Sequence, residues 1–192
     1  MFRVVYVFLY FLGVVYGANG MRERYPLKGV ETIPVSKTTF MQIRNNHEAL
    51  VDLTGKNFIV VSVREEGSDG RFYAVDSDGT VWWSGPVTSG APEFRSPSGI
   101  FPIIQKKRFY MSKDFPDPYG VNNMNYMMKF TRNGHALHEG SVDWLSHGCI
   151  HIDPKDVAVI YRWSTFKTKV IITRHTYMPF AKYDLRKIYV DR

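Results

Sequence analysis

The triplet Ser77-Asp78-Gly79 lies between two short apolar runs, residues 71–75 and 80–83, and constrains the fold more than any other stretch. Asp-Gly flanked by such runs suits a tight reversal, so the two runs read as a β-hairpin. The surrounding chain keeps the same habit. Residues 58–63 form a compact apolar run, and residues 87–90 end a strand region. Residues 100–110 read as a further strand, with Pro102 placing its start at a sheet edge or a bulge. Residues 126–131 and 135–138 are two more short strands, and 169–173 a closing one. One later segment reads as a helix. Asp153 can cap it, Pro154 suits its first position, Asp156 lies in its first turn, and Val157, Ile160 and Tyr161 mark an apolar face. Residues 37–50 also read as a short helix, from the rough spacing of Phe40, Ile43 and Leu50. The sum is a mainly β domain with one or two packed helices.

The chain has 192 residues, 44% of them hydrophobic and 22% charged. Those proportions fit a globular domain with a real core and exclude a disordered chain. Residues 1–20 carry Arg3, an apolar run from Val4 to Val15, and the small residues Gly17, Ala18 and Gly20. That order reads as a secretory signal cut after Gly20; a cut after Gly17 or Ala18, or retention as an anchor, stays open. Export to the periplasm or cell envelope follows from this reading. Residues 21–55 form a polar lead-in, and residues 174–192 a basic, Tyr-rich tail of no assigned role. The formal net charge is +7, and losing the signal removes only Arg3. Such a chain is drawn to anionic wall polymers or lipid head groups. Its Lys and Arg are dispersed rather than clustered, so nucleic acid is not the expected partner.

There is one cysteine, Cys149. A lone cysteine in an exported chain has no internal disulfide partner, so it is either buried and inert or chemically useful. Four of the six histidines, His135, His138, His147 and His151, stand near it in sequence. A thiol nucleophile needs such a base. Gly148 lets the backbone turn sharply before the nucleophile, so the N–H groups of Gly148 and Cys149 can face a reacting carbonyl as an oxyanion hole. A rival reading puts His147, Cys149 and His151 on one face of an extended strand, with His138 completing a zinc set. Three ligands so tightly spaced strain one coordination sphere, and no metal is expected.

Ser146-His147-Gly148-Cys149 resembles the signature of the YkuD-type L,D-transpeptidases. Val87-Thr88-Ser89-Gly90 is similar to that family's strand ending in a Ser/Thr-Gly pair. Ser96-Pro97-Ser98-Gly99 is similar to its Thr-Pro-x-Gly turn, and residues 126–138 to the segment leading into its upstream histidine. The resemblance covers residues 56–173. It implies a β-sandwich-like catalytic domain that needs no metal or organic cofactor. It implies acyl transfer on peptidoglycan stem peptides: Cys149 attacks the carbonyl of the diamino acid, D-alanine leaves, and an amine from a second stem resolves the thioester. Water in place of the amine makes the chain an L,D-carboxypeptidase. An amidase of the same fold, acting on a wall-anchored protein, and a catalytically impaired peptidoglycan-binding protein are the remaining readings. In the implied mapping His138 is the base, oriented by the carbonyl of Glu139, and His147 supports the oxyanion site. Ser146, His151, Trp144, Tyr126 and Glu139 are candidates on the substrate side. His138 and Cys149 are only 11 positions apart, fewer than the family usually has, which opens the acceptor side. His151 stands where the family commonly has Arg or Asn, and it can replace neither the charge nor the fork of Arg. Trp144, in the shortened loop, either covers the substrate or pins the loop to the core. Tyr126 lines the donor groove or packs.

Overall fold

In the computed structural model, which describes residues 29–63, 70–113 and 122–190, the chain opens with an antiparallel meander of β1 (Val30–Pro34), β2 (Thr39–Arg44) and β3 (His47–Asp52). The expected secretory signal lies outside the described residues. The meander corrects the helix expected over 37–50. Arg44 pairs with His47 across a two-residue loop, and Asn45 and Asn46 sit at φ 50° and 63°. Two consecutive positive φ values define a hairpin turn whose twist matches its strands, and Asn tolerates them better than most residues. Leu50, counted as part of a helical apolar face, is 66% exposed on β3.

Next come β4 (Phe58–Ser62), β5 (Arg71–Val75), β6 (Val81–Thr88), β7 (Gly99–Pro102), β8 (Gln105–Lys107), β9 (Met127–Lys129), β10 (Ala136–Glu139) and β11 (Ile150–Ile152). They are followed by α1 (Pro154–Trp163), β12 (Lys169–Thr173) and α2 (Met178–Val190). The hairpin at Ser77-Asp78-Gly79 forms as expected, closed by Asp76 N–H to the Thr80 carbonyl and Thr80 N–H to Asp78 Oδ1. Asp153 caps α1 by accepting the N–H of Lys155.

Strands β4 to β12 form one sheet in the order β7-β12-β4-β5-β6-β11-β10-β9-β8. The single strand expected over 100–110 is thus two strands at opposite ends of that order. Only Ile103 and Ile104 join them, and two residues span roughly 7 Å at most. The sheet therefore curls until its two edges meet. Pro102 ends β7 rather than starting a strand, and it lies on an edge, where its missing N–H costs no ladder bond.

The curl divides the apolar side chains into two sets. Ile59 and Val61, Phe72 and Ala74, and Val170 and Ile172 point inward with Leu137, Ile150 and the apolar face of α1. Phe58 and Val60, Tyr73 and Val75, and Ile171 point outward and are covered by Phe40, Leu53, Tyr177, Ala181 and Leu185. That is why β4 is apolar almost throughout: it is buried on both faces. The tail at 174–192 contributes α2, which helps seal the outer core. Asp184 on α2 accepts both the Lys37 ammonium at 2.6 Å and the Val81 N–H at 3.0 Å.

Candidate active site

Parallel pairing of β10 with β11 sets Leu137 beside Ile150 and His138 beside His151. Side chains alternate along a strand, so Leu137 and Ile150 face the inner core while His138 and His151 share the other face. Cys149 immediately precedes β11. It is half-buried and packs with Met124, Met127, Ala136 and Tyr110. Its Sγ lies 3.8 Å from the Gly134 carbonyl, to which the thiol donates. Ala136 lies two positions before His138 on β10, so its packing with Cys149 sets Cys149 on the His138 side of this strand pair.

His138 is 5% exposed, and its Nδ1 lies 2.6 Å from the Glu139 carbonyl. A carbonyl only accepts, so Nδ1 carries the proton and Nε2 keeps a lone pair. The ring meets that of His151 at 4.9 Å between centroids. Burial, helped by repulsion from His151, pushes the His138 imidazole down to about 3. It is neutral at physiological pH, and basic only towards a proton handed to it directly. Glu139 enters through its backbone: its carbonyl orients His138 and its N–H donates to Asn125.

His151 is held by the shortened loop. Its Nδ1 bonds the Ser141 carbonyl at 3.1 Å, and the Trp144 backbone adds a second contact. Gly140 lies so close that a Cβ there would come 2.7 Å from the ring. Burial lowers the His151 pKa as well. The loop presents Trp144 74% exposed and Leu145 54% exposed, so the Trp144 ring does not pin the loop to the core. Tyr126 is not in the cluster around Cys149. At φ 54° it packs on the inner core and meets Tyr161 of α1 at 5.6 Å.

The nucleophile loop is built by hydroxyls and glycines. Buried Ser146 accepts the Gly148 N–H on its Oγ at 3.0 Å and donates to the Cys149 carbonyl at 2.5 Å. The Gly148 N–H expected to face the oxyanion is therefore engaged within the loop. Gly148 itself has φ 107°, a left-handed value that favours glycine. That value also breaks the strand alternation assumed in the zinc reading, since β11 begins only at Ile150. Among the described residues no group of three or more His, Cys, Asp or Glu could hold a metal. His147 is exposed and its ring meets Phe94 at 5.0 Å.

Sequence reading assigned no site role to three residues that order the nucleophile loop. Ser96, 1% exposed, accepts the Gly90 N–H and donates to the Gly148 carbonyl, each at 3.0 Å. Arg174 holds the Ser96 turn from behind, through the Ser96 carbonyl at 2.7 Å and the Ser98 hydroxyl. His135 is buried against Gly148: a Cβ on Gly148 would lie 3.0 Å from its Cδ2. Its Nδ1 lies 2.9 Å from Thr131 Oγ1. The turn motif at 96–99 was a signal for Ser96; nothing local marked Arg174.

Comparison with known proteins follows the same residues. The profile of the YkuD family, the L,D-transpeptidase catalytic domain, matches residues 56–172. No curated protein sequence matches. Among solved structures, an L,D-transpeptidase of Mycobacterium smegmatis is 18% identical at TM-score 0.52, over 78% of this chain and 79% of that one. An L,D-transpeptidase of Stackebrandtia nassauensis is 19% identical at TM-score 0.52, over 65% and 59%. An Enterococcus faecium L,D-transpeptidase mutant is 19% identical at TM-score 0.51, over 68% and 54%. This chain therefore spans little more than half the length of the last two. At these identities the likeness is one of fold.

Proposed function

The chain belongs to the YkuD family of L,D-transpeptidase catalytic domains, and we propose that it is an exported enzyme that forms or exchanges peptide bonds at the diamino acid of peptidoglycan tetrapeptide stems. Cys149 is the proposed nucleophile and His138 the proposed base. The thiol proton passes to His138 Nε2 as sulfur attacks the diamino acid carbonyl. The bond to terminal D-alanine breaks, and D-alanine leaves as an amine carrying the proton from the imidazolium. An amine of a second stem then attacks the thioester and gives up its proton to His138, which passes it to the departing sulfur and so restores the thiol.

The observation that supports this reading most is the Nδ1–H bond from His138 to the Glu139 carbonyl, which leaves Nε2 as the proton acceptor. Because burial holds the His138 imidazole neutral at rest, proton transfer from sulfur accompanies attack rather than preceding it. Using the Gly148 N–H for the oxyanion requires it to leave Ser146 Oγ, at a cost of ~1 kcal/mol for one hydrogen bond. The exposed lip of Trp144 and Leu145 suits an acceptor that approaches from solvent. The site of action is the cell envelope, where the stems are.

The test is intact-mass analysis of the protein with purified tetrapeptide muropeptides, beside Cys149→Ala. Cross-linked dimers or an acyl adduct, absent from the variant, are expected. Loss of D-alanine without dimers makes the chain a carboxypeptidase. No reaction by folded protein overturns the reading and favours an amidase or a binding protein.

A further inference from the structure

β11 pairs with β6 only at Val87 and Thr88. Residues 84–86 of β6 therefore have β5 on one side and, among the described residues, no strand on the other. A cavity of about 660 Å³ fills that gap, and Cys149 is not among its lining residues. Four cations from three elements line it: Arg71 on β5, Lys155 on α1, and Lys182 and Arg186 on α2. The two on α2 are four residues apart, hence on one helix face. Arg71 is anchored at Ser84 Oγ, 3.4 Å away. One carboxylate, Asp156, joins them, and it is buried with its Oδ1 accepting from Trp83 Nε1. The first amides of α1 are already taken by Asp153, so the positive character of the cavity rests on the side chains.

We propose that this cavity is a binding site for a phosphate ester, separate from the Cys149 site and independent of its chemistry. Cations lining one cavity from three elements suit a tetrahedral anion, whose oxygens point in several directions at once. A planar carboxylate is satisfied by one guanidinium fork. Pro86, Met178 and Leu185 supply an apolar part to the lining, which suits the organic half of an ester rather than a bare phosphate ion. The volume falls within the usual range for small-ligand sites. A phospholipid head group and a glycerol phosphate chain share this chemistry.

The experiment uses the full chain and two probes, soluble glycerophosphoglycerol and vesicles of phosphatidylglycerol with phosphatidylcholine. The cavity variant is Lys182→Glu/Arg186→Glu, and Lys155→Gln/Lys182→Gln serves as a milder second. Lys167→Glu/Lys169→Glu removes as much charge as the first variant, outside the cavity. Saturable binding of the soluble ester is expected, weakened about tenfold or more in the first cavity variant, less in the second, and within about twofold of wild type in the control. Vesicle binding much tighter than soluble binding, with the same variant pattern, assigns the ester to a lipid head group. Comparable binding of both assigns it to a soluble or polymeric ester. No saturable binding of the soluble ester overturns the proposal. So does equal weakening in cavity and control variants, or equal binding of gluconate, a polyhydroxy carboxylate with the same single charge.

Discussion

Ser96 reaches Gly148 across 52 positions of sequence, its hydroxyl donating to the Gly148 carbonyl at 3.0 Å while accepting the Gly90 N–H at the same distance. One buried side chain thus fixes both the end of the strand entering the site and the residue before the proposed nucleophile.

Ser96→Ala should therefore act on stability and reactivity together. It leaves a half-buried N–H and a buried carbonyl short of a partner, an expected loss of about 1–3 kcal/mol. Denaturant unfolding reads the first effect and the rate of Cys149 alkylation the second. Unchanged midpoint and unchanged alkylation would show that the bridge positions nothing.

Gly90→Ala is the sharper probe of the same contact. A Cβ there would lie 1.9 Å from the Phe94 carbonyl oxygen and 2.8 Å from Gly148 Cα, both backbone atoms that cannot swing aside. The loop must shift, with an expected cost of about 1–3 kcal/mol and loss of most transpeptidation. Wild-type turnover and melting temperature would contradict the packing.

The depressed His138 pKa has a sign in stability. Below its ordinary value of 6.5 the unfolded chain takes up a proton that the folded chain resists down to about 3. Stability attributable to His138 is therefore flat above pH 6.5 and falls as pH drops towards 3. One pH unit corresponds to about 1.4 kcal/mol, so the loss between pH 6.5 and 5 is about 2 kcal/mol. Urea midpoints across pH should show a shallower acid slope in His138→Gln. Identical slopes in the two proteins would remove His138 from the account.

Trp144→Ala separates substrate contact from packing. At 74% exposure the ring should contribute within about ±0.5 kcal/mol to stability. Its effect should appear in KM for the acceptor stem, with kcat for release of D-alanine little changed. A large drop in melting temperature with unaltered KM would give the ring a structural role.

What the sequence disclosed was what its local chemistry decides. The turn at 77–79 and the cap at Asp153 satisfy their own backbone groups within a few residues, so their signals stand in the chain itself. Residues 37–50 misled because β3 is largely exposed and shows no clean alternation; the pair Asn45-Asn46 was the better signal. The tail also held a readable pattern, Tyr177, Ala181 and Leu185 at helical spacing. The short motifs named the family, but the contact of His138 with His151 depends on β10 and β11 lying side by side. The clamp of Arg174 on Ser96 depends on the curl of the sheet. No spacing along the chain carries either.

α2 follows all twelve described strands in chain order. A chain emerging amino-terminus first has therefore made every strand while Phe58, Val60, Tyr73 and Val75 still lack the cover of Tyr177, Ala181 and Leu185. During that interval the outer set has only Phe40 and Leu53 over it, and the arrival of the final helix completes the seal.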